Sequence, residues 1–160
     1  MYPVSLEKLI ECFRTLPGVG EKTAERYALL ISEQNAEQVN QFAQALVDVK
    51  TKLNHCSICG NLCDSDKCDI CTDTERDHQQ IFVVQSAKDV AAMEKTGEYH
   101  GVYHVLNGLI SGSKGVMPED LNIETLIDRA KDAKEIILAT NTTMDGETTA
   151  MYLDRLLQQE

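Results

Sequence analysis

The chain has 160 residues, 42% of them hydrophobic, with 26 acidic against 15 basic side chains and a net charge of −11. That length allows one good core or two small ones, and no stretch is apolar enough to read as a membrane span. The acidity is uneven: residues 1–50 carry 5 basic and 7 acidic side chains, residues 51–160 carry 10 and 19, which excludes a general electrostatic grip on phosphate. Any nucleic-acid contact must be local and N-terminal, and the complement of the acidic remainder is a basic protein.

Leu6, Leu9, Ile10 and Phe13 recur at helical spacing, so residues 5–15 read as an amphipathic helix with Ser5 as its cap, and Cys12 reads as part of the packed face. Leu16-Pro-Gly-Val-Gly follows, a tight turn built on Gly18 and Gly20, and then a second helix with Ala24, Tyr27, Ala28 and Ile31 inward. This is a helix-hairpin-helix. Its turn presents backbone N–H groups at a helix N-terminus, where a phosphate can sit without any base being read, and Lys22 and Arg26 share a face beside it. The plain alternative is a helical hairpin that merely needs glycine. A third helix over 36–50, capped by Asn35, is expected to turn Val39, Phe42, Ala43 and Leu46 inward.

Cys56, Cys59, Cys68 and Cys71 form two Cys-x-x-Cys knuckles, the spacing by which a chain wraps one tetrahedral zinc ion. Disulfides are the alternative, but residues 1–30 contain no continuous apolar leader segment, so a reducing cytoplasmic setting is expected. With every ligand from protein the site is structural, not catalytic. Cys63 and His55 lie nearby but break the paired spacing. Gly60 suits the turn after the second cysteine.

Beyond the cysteines the period changes. Ile81–Val84, Val102–Leu106 and Ile136–Ala139 are short continuous apolar runs, each followed by a helical pattern, the first opened by a Ser86/Asp89 capping box and the last covering 147–157. Strand and helix alternating three times implies a parallel α/β sheet with function gathered at the strands' carboxyl ends. Asp145 and Glu147 flank Gly146 there, placed to hold Mg²⁺ or face a basic partner, or simply to be solvated.

The glycine turn from Leu16, the cysteine quartet, the segment Glu98-Tyr-His-Gly-Val-Tyr-His-Val-Leu and Ile137-Leu-Ala-Thr-Asn, in that order, resemble the RecR family of bacterial recombination mediators. The resemblance implies an α+β chain in three parts: a helix-hairpin-helix unit (1–53), a four-cysteine zinc finger (54–78) and a Toprim-like α/β domain (79–160). It implies an adaptor without catalysis that forms dimers or a ring-like tetramer, and that works in the cytoplasm and at the nucleoid when bound to DNA. In that family the role is to act with RecO and RecF in loading RecA onto single-stranded or gapped DNA. By the same resemblance Gly18, Gly20, Lys22 and Arg26 fall at DNA-contacting positions, and Asp89, Asp145 and Glu147 at acidic positions of partner contact.

Several residues depart from the family pattern. Glu21 and Glu25 stand where proline and an uncharged residue are usual, which dilutes the hairpin's positive field. Gln85 stands where a glutamate is usual, which removes the carboxylate that catalytic relatives of the Toprim domain use. Thr142 follows Asn141 where proline is usual, and the loop 112–118 is worded differently. Family members also continue past the position of Glu160, so the sheet is expected to be incomplete at its C-terminal side. The competing readings are a Mg²⁺-dependent Toprim enzyme acting on DNA and a shortened module that pairs through its N-terminal half.

Overall fold

The computed structural model describes residues 1–159, which divide into two compact units, Met1–Thr51 and a second that begins at Lys52. In the first, α1 (Val4–Arg14) and α2 (Glu21–Glu33) pack as an antiparallel pair, with Phe13 edge-on to Tyr27 at 5.7 Å between centroids. Pro3, not Ser5, precedes α1: its carbonyl accepts from the amides of Leu6 and Glu7, and its fixed φ suits entry to a helix. The packed stripe runs through Leu6, Leu9, Ile10 and Phe13, which rotates Cys12 out to solvent. Only Ala24 and Ala28 are fully buried in this unit. Such a thin core is marginal for some fifty residues.

The third helix, α3 (Ala36–Lys52), begins as expected with the Asn35 side chain accepting from the Gln38 amide at 2.9 Å. Its apolar face is a different matter. Val39 reaches the groove lined by Leu6, Leu9 and Ile31, but Phe42, Leu46, Val47 and Val49 are 46–64% exposed. Only the first turn of α3 meets the helical pair, so the inward face anticipated from periodicity lies open.

The second unit starts with a two-stranded antiparallel ribbon, β1 (Asn54–His55) with β2 (Leu62–Cys63), and a single helical turn, α4 (Asp69–Thr72). A parallel three-stranded sheet follows in the order β4-β3-β5, with β3 (Asp77–Val84) between β4 (Gly101–Val105) and β5 (Glu135–Leu138). The helices α5 (Ala87–Glu94) and α6 (Glu124–Ala130) are the crossovers, and α7 (Met144–Leu157) follows β5. β4 is buried along its whole length, as a strand covered on both faces requires. One side of the sheet carries Ile81, Val83, Val102, Leu126 and Leu153, the other Val84, Val90, Tyr103 and Val105.

Two polar devices tie this core together. Arg76 forms a forked pair with Glu94 and also donates to the Gly101 carbonyl, while the Tyr103 hydroxyl donates to Glu94 at 2.6 Å, so the end of α5 is pinned to the start of β4. The paired guanidinium holds the Glu94 carboxyl below the usual carboxylate range. His104, fully buried, donates from Nε2 to the Asn122 carbonyl at 2.6 Å and accepts at Nδ1 from Arg129 at 3.0 Å. A ring that accepts a guanidinium proton is neutral.

Candidate metal centre and strand-end cleft

Cys56 and Cys59 come from the β1–β2 turn, Cys68 caps α4 and Cys71 lies within it, and all four are buried. Their sulfurs lie within 4.8 Å of one another, with Cys59 and Cys68 at 3.7 Å. Tetrahedral zinc with bonds of about 2.3 Å sets its sulfurs about 3.8 Å apart, so the cradle fits. The chemistry of the donors fits as well. Backbone amides aim at three sulfurs: Asn61 at Cys59 (3.4 Å), Cys68 at Cys56 (3.3 Å) and Cys71 at Cys68 (3.4 Å). Such donors stabilise thiolates.

Cys59, Cys68 and Cys71 compete for charge. Hydrogen bonding from the Cys71 thiol pulls Cys59 down, while donating that bond pushes Cys71 up and burial pushes Cys68 up. A divalent cation lets all four ionise together, which couples metal binding to folding. Cys63 stays apart, its thiol donating to the Ser65 carbonyl at 2.8 Å, and the Nδ1 of His55 donates to the Gly60 carbonyl at 3.1 Å. The metal set among the described residues is the quartet read from the spacing.

Sequence spacing does not reveal how the knuckle sits on the sheet. The Val105 amide donates to the Cys59 carbonyl at 2.7 Å, and the Asn107 side chain donates to the Gly60 carbonyl at 3.0 Å. Gly60 has φ +79°, and a Cβ there would meet the Asn122 amide at 2.6 Å and the Val105 carbonyl at 2.7 Å. Its lack of a side chain therefore serves the turn and the docking together.

At the carboxyl ends of the strands lies an open cleft of about 720 Å³, lined among others by Gln85, Ser86, Asn107, Ser111, Lys114 and Asp145. This is where ligands gather in parallel sheets. Of the three acidic residues singled out by resemblance, only Asp145 lines it, in the first turn of α7 behind the Thr143 cap. Glu147 is exposed in the same turn. Asp89 is spent on the start of α5, accepting from the Ser86 amide at 3.2 Å and hydroxyl at 2.8 Å. The Gln85 side-chain oxygen accepts from the Asn141 amide at 3.0 Å, bridging the ends of β3 and β5. Sequence reasoning misses Lys114, because nothing in the loop's wording distinguishes it from an ordinary exposed lysine.

In the N-terminal unit Gly18 takes φ +82°, as the turn demands, and Gly20 precedes α2 with no side-chain cap, which leaves the first-turn N–H groups of α2 without a capping partner. Lys22 and Arg26 lie along a shallow groove that also holds Glu25, and the Arg26 guanidinium lies 5.5 Å from the Tyr27 ring. Glu25 accepts a hydrogen bond from the Tyr2 hydroxyl.

Three family models match in sequence: the RecR helix-hairpin-helix over residues 6–50, the RecR four-cysteine zinc finger over 53–73, and a Toprim domain over 79–160. Proteins named recombination protein RecR from Streptococcus equi subsp. zooepidemicus and from Streptococcus pyogenes serotype M49 are each 54% identical over 160 residues, covering 99% of this chain and 81% of theirs. The chain belongs to the RecR family. Its cysteine quartet is accordingly the family's zinc finger, a site for one structural zinc ion, and its sheet is the Toprim part of a recombination protein. Among the described residues no helix is long and apolar enough to cross a membrane.

Proposed function

We propose that the chain is a DNA-binding adaptor of recombinational repair that makes and breaks no bonds, acting with RecO and RecF to promote RecA loading on single-stranded or gapped DNA. The observation that carries the reading is the turn of the N-terminal unit, with uncapped amides at the start of α2 beside the side chains of Lys22 and Arg26. That pairing of helix-end amides and cations suits a backbone phosphate. Replacing both residues with alanine should weaken DNA binding equally across sequences and flatten the log–log salt slope by about 1 to 2 in fluorescence anisotropy. An unchanged slope overturns the contact.

Asp145 and Glu147 of α7, together with Asp89 at the start of α5, are proposed as the face for a basic partner. Calorimetric titration with RecO should show salt-sensitive binding that Asp145→Ala with Glu147→Ala abolishes. Gln85 supports the reading without catalysis, because a neutral amide does not accept a proton as a carboxylate does and brings no charge to a bound cation. Mg²⁺-dependent DNA cleavage lost in Asp145→Asn would overturn it. The open apolar face of α3 supports a homo-oligomer in which a second copy covers it. The setting proposed for all this is the cytoplasm, at the nucleoid when DNA is bound.

A further inference from the structure

We infer that Asn107 is a positioning residue that couples metal occupancy of the cysteine knuckle to the shape of the strand-end cleft. The inference rests on the cysteine quartet holding zinc. Asn107 is the one non-glycine residue with positive φ among those described, at +59°, and Gly108 beside it has φ +147°. A left-handed backbone is uncommon for a residue with a side chain, asparagine being among the few that adopt it, and here a side-chain hydrogen bond accompanies it. That bond goes to the Gly60 carbonyl, which accepts from the Asn107 side-chain amide at 3.0 Å and from His55 at 3.1 Å.

The position of Gly60 is in turn set by the metal site, since it directly follows Cys59 and its amide donates to the Cys56 carbonyl at 2.9 Å. Two hydrogen bonds join the knuckle to the end of β4, from the Val105 amide to the Cys59 carbonyl and from the Asn107 side chain to the Gly60 carbonyl, and the second is the one that reaches the first residue of the cleft loop. Beyond Asn107 the chain becomes the cleft wall: the Gly108 amide donates to the Gln85 carbonyl at 3.0 Å, and Ser111 pairs with Val116 to close the loop that carries Lys114. Zinc fixes the knuckle, the knuckle fixes Asn107, and Asn107 fixes where the 108–116 loop leaves β4. Because coupling of this kind is reciprocal, whatever orders the loop also tightens the metal.

Hydrogen exchange of peptides covering 107–116, read by mass spectrometry on the whole chain with zinc bound and after chelation, tests this. Wild-type loop amides should exchange about three- to tenfold faster without metal, the worth of one net hydrogen bond. Asn107→Gly and Asn107→Asp both tolerate the left-handed backbone but lack the donor. With zinc bound, their loops should already exchange at the fast rate, chelation should add little, and they should surrender zinc to a colorimetric chelator about three- to tenfold faster than wild type. A residue that only stabilises the fold would raise exchange equally with and without metal. If the wild-type loop ignores the metal, or the zinc-loaded variants respond to chelation as wild type does, the coupling is wrong. Elemental analysis separates the two failures: one zinc per chain with an indifferent loop sinks only the coupling, whereas no bound zinc sinks the metal reading and the coupling with it.

Discussion

Gly60 and His104 show how much the second unit asks of single residues. A methyl group on Gly60 would face a left-handed backbone, the Asn122 amide and the Val105 carbonyl at once, and the last is backbone that cannot swing aside. Gly60→Ala should therefore destabilise by about 3 kcal/mol or more, seen as a lower urea midpoint, with weaker zinc retention. His104 acts through pH. Burial, with the Arg129 charge adding to it, lowers its pKa to about 4 although the Asn122 carbonyl opposes the shift. The unfolded chain takes up a proton near pH 6.5 that the folded chain refuses. Stability from this residue is complete above about pH 6.5 and falls as pH drops toward 4, by about 3 kcal/mol in all. Urea unfolding of His104→Gln should lose that share of the acid dependence, while the fall caused by zinc release remains common to both proteins.

At the scale of elements, the knuckle is the part whose stability is borrowed. β1 and β2 have two residues each and α4 has four, too short to hold without the metal. Chelation or Cys59→Ala should remove on the order of 10 kcal/mol of metal-binding free energy from this segment and lower the melting temperature of the second unit, followed by circular dichroism. The knuckle was legible because metal spacing is local, and the three strands because fully covered strands read as unbroken apolar runs, as Ile81–Val84 does. What escaped the sequence was tertiary. Nothing in the order of residues says that Val105 and Asn107 bind the knuckle's carbonyls. Asp89 was legible as the capping residue of α5, and the geometry shows that cap. α3 has the right period for a packed helix, but period cannot say whether the partner face belongs to the same chain.

Taken whole, the molecule joins a sheet unit with a full core to a helical unit that has almost none. The exposed Phe42, Leu46, Val47 and Val49 give α3 the surface of a core helix without its core. Light scattering should find a multimer that Leu46→Glu reduces in size, and the melting temperature of the wild type should rise with protein concentration as mass action requires. A monomer at all concentrations would leave the N-terminal unit resting on two fully buried alanines and a half-buried stripe around Phe13.

The order in which the chain emerges during synthesis gives the knuckle one more role. Residues 56–71 close over a short span and are complete before any sheet strand exists, whereas β4 pairs with β3 across a crossover and β5 arrives last. Local closure is fast and distant parallel pairing is slow. A metal-loaded knuckle would therefore be ready to offer its Cys59 carbonyl to β4 and its Gly60 carbonyl to Asn107 just beyond that strand, and scarcity of the ion during translation would be expected to delay the sheet.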